Sequence, residues 1–156
     1  MGVEIERKFL VKRDQWPGTS NPTAFRQGYL SRTRGCTVRV RRAGDRAFLT
    51  VKGPRAGLVR SEYEYEIPVA DADEMLGLCA PPLIDKHRHL VDHDGHTWEV
   101  DEFHGANAGL LVAEIELDGP DEAFTCPSWV GQEVTDDPRY LNANLVEHPF
   151  SEWGRP

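Results

Sequence analysis

The 156-residue sequence has no apolar run near the roughly 20 residues that a membrane-spanning helix requires, so a helical membrane protein is not expected. Basic charge is scarce as well. With 18 Lys and Arg against 26 Asp and Glu, the net charge of −8 argues against binding a nucleic-acid duplex, which is driven by cations neutralising phosphates. Cysteine is limited to Cys36, Cys79 and Cys126, odd in number, far apart and without a C-x-x-C pair, so reduced structural thiols are expected. Low-complexity tracts and fixed-period repeats are missing, and Pro and Gly are dispersed as punctuation. The first residues are charged rather than basic and then apolar, and Glu6 breaks the N-myristoylation pattern that Gly2 opens. A cytoplasmic protein is therefore expected, with one domain spanning 1–156.

What is present is alternation. Period-2 patterns run through VEIERKFLV (3–11), TVRVRRA (37–43), AFLTVKG (47–53), SEYEYEIPV (61–69), IDKHRHLV (84–91), HTWEVDEF (96–103) and LLVAEIELD (110–118). RQGYLSR (26–32) reads as a further strand. The connectors AGDR (43–46), DHDG (92–95) and HGANAG (104–109) are short and turn-like, which predicts hairpins in an antiparallel sheet. Helices are expected at 71–80 with Asp71 as N-cap, in a piece around 121–130, and at 138–147 with Pro138 near the first turn.

Charge falls on one parity within these strands: Glu4, Glu6, Lys8; Arg39, Arg41; Lys52; Glu62, Glu64, Glu66; Lys86, Arg88; Glu99, Asp101; Glu114, Glu116. The other parity carries Val38, Val40, Leu49, Val51, Tyr63, Tyr65, Trp98, Val100, Ala113 and Ile115. For one strand, the ordinary explanation is a sheet with its polar face in water, laced with cross-strand ion pairs. Repetition over seven strands, with Thr, Ser and Gln nearly missing from these positions, points instead to a shared polar interior. About eight strands can close around side chains or a small ligand. The expected fold is mainly β (α+β): an eight-stranded antiparallel closed barrel, charged inside, with a few peripheral helices.

Inside it, the bases Lys8, Arg39, Arg41, Lys52, Lys86 and Arg88 meet one more acid than their own number: Glu4, Glu6, Glu62, Glu64, Asp101, Glu114 and Glu116. That balance holds a bare anion poorly, whereas it suits a polyphosphate carrying a hard divalent cation. Carboxylate oxygens bind the metal, and Arg forks and Lys ammonium groups bind phosphate oxygens. A triphosphate carries roughly four negative charges near neutral pH, which one or two divalent ions balance.

The ordered motifs EIERK, RQGYL, VRVR, TVKG, SEYEYEI, KHR, WEVDEF, AEIEL and GQEVTDDPRYLN, from about residue 3 to 145, together resemble the CYTH-domain triphosphate tunnel metalloenzymes. The similarity is greatest to short bacterial members that hydrolyse inorganic tripolyphosphate. The resemblance implies a tunnel that binds a small-molecule triphosphate along its length and cleaves it with Mg²⁺ or Mn²⁺. It further implies Glu4, Glu6 and Glu116 as leading metal ligands, with Glu114, Glu62, Glu64 and Asp101 shaping a second metal or the attacking water. Lys8, Arg39, Arg41, Lys52, Lys86 and Arg88 would clamp phosphate oxygens, Tyr29 would place its phenol near Lys8, and Arg139 would reach substrate from the 138–147 helix.

Alternatives inside this family are nucleotide or thiamine triphosphate hydrolysis and cyclisation of ATP to cyclic AMP. Outside it stands a polyphosphate-binding module without turnover, which the array of acids disfavours. Glu66 extends the acidic row toward a mouth, and Trp98 and Trp129 read as packing anchors. Zinc binding by His87, His89, His93 and His96 is a minor alternative, since no thiol cluster joins them. Nothing in the sequence dictates an oligomeric state.

Overall fold

Nine antiparallel strands form one sheet in the computed structural model, which describes residues 2–33 and 35–154. They are β1 (Val3–Val11), β2 (Thr23–Thr33), β3 (Cys36–Ala43), β4 (Arg46–Ala56), β5 (Val59–Ile67), β6 (Ile84–His93), β7 (His96–Phe103), β8 (Leu111–Glu116) and β9 (Val130–Glu133). Two short helices accompany them, α1 (Val69–Leu76) and α2 (Asn142–Glu147). The strand order is β5-β4-β3-β2-β6-β7-β8-β1-β9, and β5 also pairs with β1 through Val3↔Ser61 and Ile5↔Val59. The sheet thereby returns on itself as a ring around a tunnel. The expectation of eight strands missed β9, which takes the edge of β1 around Phe9 and Val11, where β5 no longer pairs. Its VGQE sequence has a single buried residue, Val130, and so no readable alternation.

Hairpin connections follow from local chemistry. At the β6–β7 turn, Asp94 (φ 47°) and Gly95 (φ 82°) both take the left-handed conformation that the right-handed twist of paired strands favours in a two-residue loop. On the outer side of β2, a Cβ at Gly28 would lie 2.7 Å from that of Cys79. Glycine there lets the chain after α1 pack against the strand.

Strand parity sorts the side chains. On one outer flank Phe9, Trp98, Val100, Ala113 and Ile115 are buried beneath Leu117 and Trp129, with Trp16 and Phe124 at the edges. The cover there is irregular chain. Residues 121–129, within the stretch around 121–130 expected to be partly helical, form turns and irregular chain, and Pro127 lacks the N–H a helix would need. On the other flank Ala72 and Leu76 of α1 cover Val40 and Ala47. The helix begins ahead of Asp71, with Pro68 at the N-cap, so Asp71 stands in the first turn, where its charge favours the helix dipole. Tyr63 and Tyr65, expected on a packed face, are 51% and 60% exposed because no element covers that part of β5.

One end of the tunnel is filled from inside. Ile84, Phe103 and Val112 meet Tyr140, Leu145 and Val146 of the C-terminal segment, and each fully buried aliphatic side chain stabilises by about 1.5–3 kcal/mol. The expected 138–147 helix is split into a 3₁₀ turn, Pro138–Tyr140, whose Arg139 N–H donates to Asp137, followed by α2. Among the described residues, no helix is long and apolar enough to cross a membrane.

Candidate active site

A cavity of about 500 Å³ runs into the ring. Lining it are Glu4, Glu6, Lys8, Arg39, Arg41, Lys52, Glu62, Glu64, Lys86, Arg88, Glu114 and Glu116, with Tyr29 beside them. Register explains the convergence. Glu6 lies opposite Glu116 and Lys8 opposite Glu114 across β1–β8, while Lys52 faces Glu62 across β4–β5.

The acids gather where β1 meets β5 and β8. Lys52 Nζ is 3.0 Å from Glu4 and 3.4 Å from Glu62. Burial, followed by the charges of Glu114 and Glu4, pushes the Glu6 carboxyl up to about 8. Glu4 is also raised by burial, with Lys52 opposing and Glu62 adding to the rise. Burial raises Glu116, and Glu4, Glu62 and Glu99 reinforce the effect.

The bases gather across the tunnel, Arg39 and Arg41 on β3, Lys86 and Arg88 on β6. Between these strands runs β2, whose residues Phe25 and Gln27, with Tyr29 beyond them, carry no charge. The Phe25 ring centroid is 4.7 Å from the Arg41 guanidinium and 4.8 Å from that of Arg88, so its π face separates two cations. Burial and the neighbouring Arg39 and Arg88 push Arg41 down to about 9. Burial likewise lowers Lys86 to about 7; Asp101 opposes this, and Arg88 and Arg41 add to it. Arg39 Nη2 donates to Thr50 Oγ1 at 3.2 Å and lies 3.6 Å from Glu64.

Lys8 connects the two groups. Its Nζ donates to the Tyr140 carbonyl at 3.1 Å and is 3.5 Å from Glu114. Burial would raise Glu114, but Lys8, with Arg88 and Lys86, holds it at about 2. Tyr29 lines the same cavity as Lys8 and Arg41.

Two expected site residues do not line the cavity. Asp101, read as shaping a second metal, is buried behind it and engaged by Lys86 Nζ at 2.6 Å and by Arg88 Nε and Nη2 at 2.8 and 2.9 Å. Against burial, those cations hold it well below the usual carboxylate range, so it braces the bases from behind. Arg139 points away from the cavity, paired with Asp137 at 2.7 Å and stacked over Trp153. Glu66 is exposed and paired with Arg46 at 2.8 Å. The histidines disperse: His87 contacts His104, His89 contacts Thr19 and Glu102, and His96 contacts Glu122.

Other lining residues went unassigned from sequence. Arg60 reaches the cavity with Nε donating to the Gly53 carbonyl at 2.7 Å. It shares the parity of Glu62 and Glu64, a signal lost because the strand begins earlier than SEYEYEI suggested. Glu99 lines the cavity and pairs with Arg88 at 3.2 Å.

The CYTH domain model matches residues 2–148. The chain belongs to the CYTH domain family. It is 49% identical over 154 residues to an inorganic triphosphatase of Acetivibrio thermocellus, covering 98% of this chain and 99% of that protein. It is 37% identical over 149 residues to an inorganic triphosphatase of Nitrosomonas europaea, covering 92% and 97%. A crystal structure of an inorganic triphosphatase superposes with a TM-score of 0.67 at 34% identity, over 94% of this chain and 95% of the other.

The acids of this CYTH domain suit a hard divalent cation by donor chemistry: they are carboxylate oxygens, buried and crowded enough that the Glu6 carboxyl is pushed up to about 8. Among the described residues, no three acids, histidines or cysteines are spaced as a finished ligand set. The ammonium of Lys52 sits between Glu4 and Glu62.

Proposed function

We propose that the chain hydrolyses inorganic triphosphate to pyrophosphate and orthophosphate inside the tunnel, using a divalent cation, Mg²⁺ or Mn²⁺. The observation that carries this reading is the segregation of charge within one cavity, with crowded carboxyls on β1, β5 and β8 and buried cations on β3 and β6. A cation held by Glu4, Glu6 and Glu116 supplies charge neutralisation and Lewis acidity. The remaining work falls to the chain. Arg39, Arg41, Lys86 and Arg88 hold phosphate oxygens in a site largely shielded from bulk water, where such contacts stabilise developing charge far more than they do in water. Water supplies the new P–O bond, the bridging P–O bond breaks, and the water's protons pass to products and solvent. Phosphoryl transfer of this kind needs no side-chain nucleophile.

An inorganic substrate fits better than one with an organic end. The aromatic side chains on the lining are already engaged, Phe25 by Arg41 and Arg88, Phe48 by Arg46 at 5.2 Å, and Tyr29 by packing against the cluster of Ile84, Tyr140 and Leu145. Little aromatic face remains for a nucleobase or a thiamine ring. Orthophosphate release from tripolyphosphate, ATP and pyrophosphate, each with Mg²⁺, with Mn²⁺ and with chelator, tests the assignment. Metal-dependent turnover of tripolyphosphate should exceed that of the other two. Equal or faster turnover of ATP contradicts an inorganic substrate, and undiminished turnover in chelator contradicts the metal.

A further inference from the structure

The inward side chain of Gln27 on β2 is fully buried and is not part of the cavity lining, yet it touches the machinery that is. Its partners fix which way the amide points. Arg41 Nε can only donate, so the Gln27 atom 2.7 Å away is the carbonyl oxygen. The Gln27 amide nitrogen then donates to Asn142 Oδ1 at 3.2 Å, and the same oxygen accepts from Lys86 Nζ at 3.0 Å. A continuous relay of Arg41, Gln27, Asn142 and Lys86 thus joins the two basic strands through neutral groups. Among the described residues, the bond to Gln27 is the one hydrogen bond of the Arg41 side chain, which leaves its terminal nitrogens available to the cavity.

The amide is the group this position requires. A carboxylate would orient Arg41 equally well but would neutralise the cation that a phosphate needs. An apolar side chain would leave a buried charged donor without an acceptor, a loss greater than that of an ordinary hydrogen bond. Glutamine orients the guanidinium and keeps its charge free.

We propose that Gln27 is a positioning residue of the triphosphatase reaction, holding Arg41 in a fixed orientation and coupling it through Asn142 to Lys86. This rests on the triphosphatase reading above. The test combines Gln27→Met, of similar length but without a strong acceptor, Gln27→Glu, and Gln27→Met on an Arg41→Ala background. Kinetics with tripolyphosphate, calorimetric affinity for tripolyphosphate and thermal denaturation are read for each. Gln27→Met should fold and lose about tenfold in kcat/KM, the size of one hydrogen bond to a charged group. Gln27→Glu should keep the fold and raise KM more than Gln27→Met does. On the Arg41→Ala background Gln27→Met should change tripolyphosphate affinity by less than about twofold, because the partner it acts through is gone.

Wild-type kcat/KM in folded Gln27→Met, or an equal loss of affinity with and without Arg41, overturns the positioning role and leaves only packing. If Gln27→Met does not fold, an unchanged KM in Gln27→Glu overturns it. A wild-type chain that neither binds nor cleaves tripolyphosphate sinks the triphosphatase reading and this inference together, whereas an active wild type insensitive to Gln27 removes the positioning role alone.

Discussion

The acid pole and the base pole of the tunnel each crowd ionisable groups of one kind, and they differ in what stands between those groups. At the base pole every cation has a built-in neighbour: Thr50 for Arg39, Gln27 and Phe25 for Arg41, and Asp101 for both Lys86 and Arg88. At the acid pole Glu4 and Glu62 share the ammonium of Lys52, and burial, reinforced by Glu114 and Glu4, pushes the Glu6 carboxyl up to about 8. The base pole is preorganised by protein alone. On the proposed function, the acid pole would be completed by a divalent cation.

The strongest way to break this contrast is Glu6→Gln, which keeps size and removes a proposed metal ligand. We expect at least a hundredfold loss in kcat, on the scale of removing one preorganised electrostatic group. A steady-state assay across a Mg²⁺ titration checks it, and activity within threefold of wild type is the contrary result. Asp101→Asn attacks the other pole from behind. It leaves Lys86 and Arg88 buried without their counter-charge, and breaking such a pair costs about 3–5 kcal/mol. A urea denaturation midpoint that does not move would mean Asp101 is no brace.

A smaller effect sharpens the contrast through pH. A free carboxyl titrates near 4.5, whereas Glu6 holds its proton to about 8, so between those values the metal-free native state binds the extra proton. Its stability should therefore fall as pH rises from 4.5 to 8, by up to about 1.4 kcal/mol per pH unit for one such group. Glu114, held at about 2, works in the opposite sense, contributing stability above 4.5 that is lost as pH falls toward 2. Thermal melts in chelator should show the decline toward pH 8, Mg²⁺ should flatten it, and Glu6→Gln should remove much of it. The smallest effect is expected from Arg7→Gln. Arg7 lies on the outer face, paired with Glu133 at 2.6 Å in a partly exposed site, so a loss under about 1 kcal/mol and unchanged turnover are expected.

Alternation makes the ring legible in the sequence itself. Glu4, Glu6 and Lys8, or Lys86 and Arg88, share a face because a strand has period two, and repetition over seven strands implies an interior. What the sequence does not disclose lies where period and partner are separate facts. Asp101 has the parity of the tunnel, and parity cannot tell a residue open to the cavity from one sealed behind Lys86 and Arg88. Gln27 and Phe25 are uncharged, so the pattern of charged positions does not include them although they separate the bases. Residues 121–130 have a partly helical pattern, whereas Trp129 and the half-buried Phe124 pack onto the sheet from irregular chain. Arg139 sits beside its own cap, Asp137, a local pairing that keeps it from the site.

The division of labour between the poles is tested most directly by calorimetric titration of Mn²⁺ and, separately, of metal-free tripolyphosphate into wild type, Glu6→Gln and Arg41→Ala. Glu6→Gln should lose Mn²⁺ affinity and keep its hold on metal-free tripolyphosphate, because Gln matches the protonated carboxyl that Glu6 carries below about pH 8 without metal. Arg41→Ala should do the reverse, binding Mn²⁺ as wild type does while losing about tenfold or more in tripolyphosphate affinity. If both variants lose both ligands equally, the tunnel is not divided into a metal pole and a phosphate pole, and the account fails.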